Sequence, residues 1–569
     1  MTCSTRSIAG WVLAAALAVA GCSDDNGSNS PTGLQPPTGL TVTEASTTSA
    51  HLSWTAASGA TGYLVQRATS DNPTAFTALT PTPVTTTTYD DPALTSGVNY
   101  LYEVASVSAS DTSAFTAPVS FSLGGGGTNA ILSGPITTSR TLSADSVYTL
   151  SGYVKVQSGA TLTIPAGTTI VGDTTQPGSS LWILRGAKID AQGTATDPIV
   201  FTSARSPGNR KPGDWGGIII IGNGIINRTG TPILTEGGAA GQAENYAGGT
   251  DNNDNSGTLR YVRIEFAGYD ISGAGQELNS LSSYAVGRGT TYEFLQTMSG
   301  LDDSFEYWGG AVDGRYLVSY ESGDDHYDWT EGYQGRNQFL IAFQSVKLVP
   351  APGTGSFSAD PRGFEGDGCD PTVSGCVLTG STGSTPFSMP VWANFTLIGP
   401  GQNPDIPADG NGAVLRRGTG GTLFNGILGR WKGIAIDVRD TLTANNIVLD
   451  SLDFANLVLA QNGFNFDTAG VNFGDSLIIT TASSNSIHPF ASTVLVDTLL
   501  GINVTATSLD WTPKAGSPAA TGGSAFVPSR FGLRTGGFFG ALMPQTSYIG
   551  AADPAGTKWW QGWTAYNIN

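Results

Sequence analysis

The chain has 569 residues, a formal charge of −19, only 12% charged side chains and 77 glycines. The negative balance disfavours nucleic acids and anionic surfaces as partners and suits cations and neutral glycans. No long stretch carries helical periodicity, and Gly, Ser and Thr punctuate short apolar runs, so an all-β fold is expected. The apolar fraction of 39% is ample for a core, which argues against disorder.

Residues 1–22 read as an address. Arg6 precedes an apolar run from Ile8 to Ala20, too short and too early for a membrane span. The run ends Val19-Ala20-Gly21-Cys22. Small residues directly before a cysteine resemble the bacterial lipoprotein signal. That resemblance implies lipidation of Cys22 and contact with the membrane only through the N-terminal lipid. With Ser23 next, it implies an outer-membrane or cell-surface location. An ordinary signal peptide with an incidental cysteine is the alternative. Residues 23–35 are polar and aperiodic, as a flexible tether would be. Cys369 and Cys376 are then the only cysteines left, and in an exported chain they are expected to close one local disulfide.

Residues 36–123 show short alternating strands separated by turns. Trp54 sits in HLSW, Tyr63 follows Gly62, and Leu94, Gly97 and the alternation Tyr100, Tyr102, Val104 come after. The segment resembles a fibronectin type III domain over its whole length. The resemblance implies a seven-stranded sandwich with Trp54 and Tyr100 in the core, acting as a spacer or binding module without catalysis. Residues 124–128 form a glycine linker.

From 129 to 569 the pattern changes to very short apolar strands at two-residue spacing, broken by glycine. Examples are SVYTLSGYVKVQSGATLTIPAGTTIVG, WGGIIIIGNG (215–224), GTLRYVRIEFAG (257–268) and GTLFNGILG (421–429). These resemble the right-handed parallel β-helix of the pectate-lyase-like superfamily, and in particular bacterial surface lipoproteins carrying such a helix; no activity follows from that likeness. A solenoid exposes strand edges at its ends. The tail with Trp559, Trp560 and Trp563 is expected to form a C-terminal aromatic cap there.

The stretch richest in chemistry lies inside this region. DDSFEYWGG (302–310) and DDHYDWTEG (324–332) repeat one pattern at an offset of 22 residues, a natural length for one coil. VDGRYLVSYESG (312–323) and QGRNQFLIAF (334–343) match in the same frame. Stacked coils would place Asp302 on Asp324, Asp303 on Asp325 and Glu306 on Asp328 at about the inter-strand distance of ~4.8 Å. So many carboxylates cannot all ionise without a counter-ion. Asp302, Asp303, Asp324, Asp325, Glu306 and Asp328 are therefore candidate ligands of a hard cation, calcium first. The bland alternative is that the turn aspartates accept hydrogen bonds from turn amides.

A catalytic alternative uses the same residues. Paired aspartates can serve as acid and base on a glycosidic bond, and Asp302, Asp303, Asp324, Asp325 and His326 resemble, loosely, the Asp pairs and nearby histidine of polygalacturonases. A polysaccharide lyase would need a basic residue such as Arg336; Arg416 and Arg417 gather further on. Trp308, Tyr327, Trp329 and Tyr333 are candidate sugar-stacking rings beside the acids. The loop Asp251, Asn253, Asn255 departs from a calcium-binding loop because its glycine stands one place late, and it reads as a polar turn. The expected partners are a polysaccharide or a cell-surface protein, an outer-membrane transporter included, and no nucleic acid. Binding without turnover is the first reading; an extracellular lyase or glycoside hydrolase is the second.

Overall fold

The computed structural model describes residues 33–566 except 47, 70–71, 74, 96–97, 123–129, 145, 231, 239, 272–275, 373, 377–384, 407–409, 468–477, 479–486, 503–508, 524–536, 538 and 541–542. The expected lipidation site Cys22 and the glycine linker lie outside the described residues, as does most of the tether. The chain divides into two compact units, 1–123 and 124–569.

The first unit is a sandwich of two antiparallel sheets. Thr38–Ser46, Ser49–Thr55 and Thr88–Asp91 form one sheet; Thr77–Ala78, Gly62–Thr69, Asn99–Val107 and Val119–Ser122 form the other. Alternation turns Trp54, Tyr63, Tyr100, Tyr102 and Val104 into a shared core, with the Trp54 and Tyr63 rings edge-on at 5.3 Å. Asp91 is buried there, and its carboxylate accepts from Arg67 Nη1 at 2.6 Å and Tyr102 Oη at 2.9 Å.

The second unit is a parallel solenoid. Thr161–Ile164 and Thr169–Gly172 alternate half-buried and buried positions, so their apolar residues face in. Each later coil contributes one short strand and one long, bent strand. The short strands Leu281–Tyr284, Phe305–Trp308, Tyr327–Thr330, Phe364–Asp367 and Ala413–Arg416 pair in parallel along one face. The long strands Gly257–Glu265, Thr291–Met298, Asp313–Tyr320, Arg336–Phe343, Val391–Ile398, Gly421–Gly429 and Leu452–Ala460 make the other two.

A left-handed residue bends each long strand at the same place. Tyr261, Phe294, Tyr316, Phe339, Asn394, Asn425 and Asn456 have φ between 49° and 62°. The strain of each non-glycine residue there is offset by stacking on its neighbours. The rings of Tyr261, Phe294, Tyr316 and Phe339 stack at 4.3, 4.4 and 4.9 Å. Below them Asn456 Nδ2 donates to Asn425 Oδ1 at 3.1 Å.

Two expectations need correction. Between the two acidic coils the short strands pair at an offset of 22, Phe305 with Tyr327, but the long strands that follow them pair at 23, Gly314 with Asn337 and Leu317 with Leu340. The aromatic tail does not cap an open end. Trp559 packs on Tyr316, and Trp563 packs on Tyr261 and Phe294, along the flank. The reason is the stacked aromatic column, which stands on the outside of the bend as an apolar stripe until the tail covers it.

Candidate functional site: an acidic row on the short-strand face

The two aspartate pairs stand in the corner turns that lead into Phe305–Trp308 and Tyr327–Thr330. In each pair the second acid is buried and builds the corner. Asn279 Oδ1 accepts from Asp303 N–H at 3.1 Å, Asp303 Oδ1 from Asp325 N–H at 2.8 Å, and Asp325 Oδ1 from Arg362 N–H at 2.7 Å. Each side chain thus caps the backbone of the next coil, as the bland alternative expected. The first acid of each pair, Asp302 and Asp324, keeps partial contact with solvent. Asp324 Oδ1 is nevertheless sealed off and has no hydrogen-bond donor.

The short strands add a second column. Phe305, Tyr307, Tyr327 and Trp329 fill the interior, so the residues between them face out. Register places Ser282, Glu306, Asp328, Glu365, Val414 and Asp437 on one line. Asn279 Nδ2 donates to Glu306, whereas Asp328 Oδ1 has no partner.

Three triplets of these acids bring a carboxylate oxygen from each member within 4.8 Å of the others. They are Asp302, Asp303 and Asp324; Asp303, Glu306 and Asp328; and Asp325, Asp328 and Glu365. A calcium ion binds oxygens at about 2.3–2.6 Å, so its ligands lie at most about 5 Å apart. All three triplets meet that limit.

Positive charge is distributed unevenly along the row. Arg362 bonds Asp325, Asp360 and Glu365. Arg416 reaches Glu365 at 2.7 Å and Asp367 at 2.8 Å, and Arg417 bonds Asp367 and Asp370. Among the described residues no Lys or Arg nitrogen lies within ion-pair distance of Asp302, Asp303, Glu306, Asp324 or Asp328. Burial, and then the neighbouring carboxylates, push all five well above the usual carboxylate range. Glu236 and Glu277 stand close enough to add to that repulsion at Asp302. Glu236, which accepts from Tyr284 Oη at 3.4 Å, is itself pushed up to about 8 by burial and by Glu277.

Six candidates do not belong to an open site. Tyr327, Trp329 and Tyr333 are wholly buried inside the coil and cannot stack on a sugar. Trp308 faces outward, but its ring stacks on Tyr284 at 4.0 Å beneath Ile226, Ile233 and Ala247. His326 points inward, with Nδ1 at 2.5 Å from Ser319 Oγ, and burial drives its pKa down to about 3. Arg336 is buried in an ion pair with Asp313 and takes no part in the row.

The Asp251 loop is a polar turn: Asp251 Oδ1 accepts from Asn253 N–H at 2.8 Å and Asp254 Oδ2 from Asn223 N–H at 2.9 Å. Cys369 and Cys376 form the expected disulfide. Sequence reasoning missed Glu365, Asp367 and Arg362, although Phe364-Glu365 repeats Phe305-Glu306, and it also missed Glu236, Glu277 and Asn279.

No curated protein matches the chain. Among solved structures, an Fn3-like protein from Clostridium thermocellum is 32% identical over 16% of this chain and 92% of its own, with a TM-score of 0.15. A structure titled as titin kinase and its flanking domains is 21% identical over 15% of this chain, which spans only 16% of that one, with a TM-score of 0.14. Residues 35–122 match the fibronectin type III family model. Residues 134–486, well over half of the chain, match the model for the pectate-lyase like β-helix domain, and the chain belongs to that family.

Proposed function

We propose that the β-helix displays a divalent-cation site, calcium by its all-oxygen donor set, on a protein held at the outer membrane or cell surface by a lipid on Cys22. Its role is to bind a polysaccharide or a surface protein, such as an outer-membrane transporter, without turnover. The fibronectin-type unit serves as the spacer. The domain families themselves fit a surface or carbohydrate-related protein.

One observation carries the cation reading. Five carboxylates from two adjacent coils converge on one stretch of the row. Among the described residues none of the five is ion-paired to a Lys or Arg, the arginines Arg362 and Arg416 bonding Asp325 and Glu365 instead. Repulsion of this kind is relieved either by protonation or by a cation, and a hard divalent ion matches the oxygen spacing. Binding without turnover is favoured by the basic groups: Arg362, Arg416 and Arg417 each bond carboxylates, and His326 lies inside the coil.

The test is thermal unfolding of the full chain with calcium and with a chelator. An ion present at 100 times its Kd stabilises by about 2.7 kcal/mol, which raises the Tm of the β-helix transition. Asp324→Asn should reduce that rise. Identical curves with calcium and with chelator would remove the cation from the proposal.

A further inference from the structure

We propose that the acidic row holds two divalent cations, bridged by Asp303. The inference rests on the cation reading above and extends it from the nature of the ligand to its number.

The geometry separates two sites. Asp303 belongs to both triplets whose members make no ion pair with an arginine among the described residues, with Asp302 and Asp324 on one side and Glu306 and Asp328 on the other. A carboxylate has two oxygens and about four lone-pair directions, so it can bridge two ions while keeping its bond to Asp325 N–H. Each triplet also contains its own orphan: Asp324 Oδ1 in the first and Asp328 Oδ1 in the second, both sealed from solvent and without a donor. A buried acceptor left without a partner is costly, and a single ion in either triplet would leave the other orphan unanswered.

The third triplet supplies an internal control. Asp325, Asp328 and Glu365 make a cluster of the same dimensions. There the positive charge is covalent: Arg362 bonds both Asp325 and Glu365, and Arg416 adds a bond to Glu365. Two of the cluster's three members are thus paired with a guanidinium, and Asp328, which it shares with the second triplet, is not. The two preceding triplets repeat the arrangement without an arginine.

Charge arithmetic points the same way. Asp302, Asp303, Glu306, Asp324 and Asp328 carry −5 when ionised. One divalent ion leaves −3 in a semi-enclosed row beside Glu236 and Glu277; two leave −1.

The experiment measures ions bound per full-length chain. Chelator-stripped protein is dialysed to equilibrium against calcium and its metal content counted, with circular dichroism confirming that each variant is folded. Two ions are expected on the wild type. Asp324→Asn should lose one ion, Asp328→Asn should lose the other, and Asp303→Asn should lose both.

A single ion, lost equally in Asp324→Asn and Asp328→Asn, overturns the paired site and leaves the cation reading standing. Two ions unaffected by Asp303→Asn also overturn it, because the pair would then lie elsewhere. No ion at millimolar calcium overturns both. The wild-type count needs no variant to fold, so the proposal is testable even if an asparagine substitution disrupts the corner.

Discussion

Glu321 shows how a single corner residue couples the solenoid to pH. It is fully buried and left-handed, with φ 58°, and its carboxylate accepts from Ser345 N–H at 2.9 Å and Val346 N–H at 3.2 Å. Burial outweighs these donors and pushes its pKa up to about 7. A folded-state pKa above the unfolded value means that the native state holds its proton more tightly. The stabilisation is therefore complete below about pH 4.5 and is lost as pH rises through 7. A shift of this size corresponds to about 3 kcal/mol. Glu321→Gln cannot titrate, so the wild type should lose about that much stability relative to the variant between pH 4.5 and 7, read from urea midpoints at each pH. A wild-type-minus-variant difference that stays flat across the window would show that the donors, not burial, set the titration.

At the scale of the element, the bend of the long strands makes a prediction about backbone rather than contacts. Asn425 sits at φ 52° and donates to Thr546 Oγ1 at 3.2 Å while accepting from Asn456. Asn425→Ala and Asn425→Gly lose the same side-chain bonds. Only alanine keeps a Cβ, which costs about 1–2 kcal/mol in the left-handed region. The glycine variant should therefore be the more stable of the two by about 1 kcal/mol, the reverse of the order in an ordinary strand; equal midpoints would mean the bend relaxes. One residue on, Gly426 admits no side chain, because an added Cβ would fall 2.0 Å from the Phe395 ring. Gly426→Ala should be far more damaging than either.

The same scale explains what could be read in the residues beforehand. The short-strand register was legible because Asp302–Gly310 and Asp324–Gly332 repeat without a gap. The misassigned rings have a plain cause: alternation has two phases, and the phase with Tyr327 and Trp329 outside would have buried Glu306 and Asp328. Since burying charge costs more than burying an aromatic ring, the acids fix the phase. Arg362 and Glu365 were missed because an insertion puts Glu365 37 residues after its register partner Asp328. The left-handed column left no signal in spacing, since aromatic and asparagine residues share it.

Across the whole molecule, the tail changes how the solenoid unfolds. A stack of coils held only by its neighbours frays coil by coil. Here the tail crosses many coils: Pro544 C=O accepts from Gln338 Nε2 at 2.6 Å, Ala551 N–H donates to Thr396 Oγ1 at 2.9 Å, and Ala565 N–H donates to Gln296 Oε1 at 2.8 Å. Trp563 anchors its far end, fully buried, edge-on to Tyr261 at 5.8 Å and Phe294 at 6.1 Å, with its carbonyl accepting from Arg263 Nη1. Trp563→Ala should cost about 3–5 kcal/mol, the range for emptying a buried tryptophan site. Releasing that anchor also uncovers the Tyr261 and Phe294 rings, so the β-helix transition in calorimetry should broaden as well as move down. The fibronectin-type unit has its own core and is compact by itself, which makes its transition an internal reference that should not move. A β-helix transition that drops without broadening would mean the coils cooperate without the strap, and that their own stacking, rather than the tail, makes the solenoid one unit.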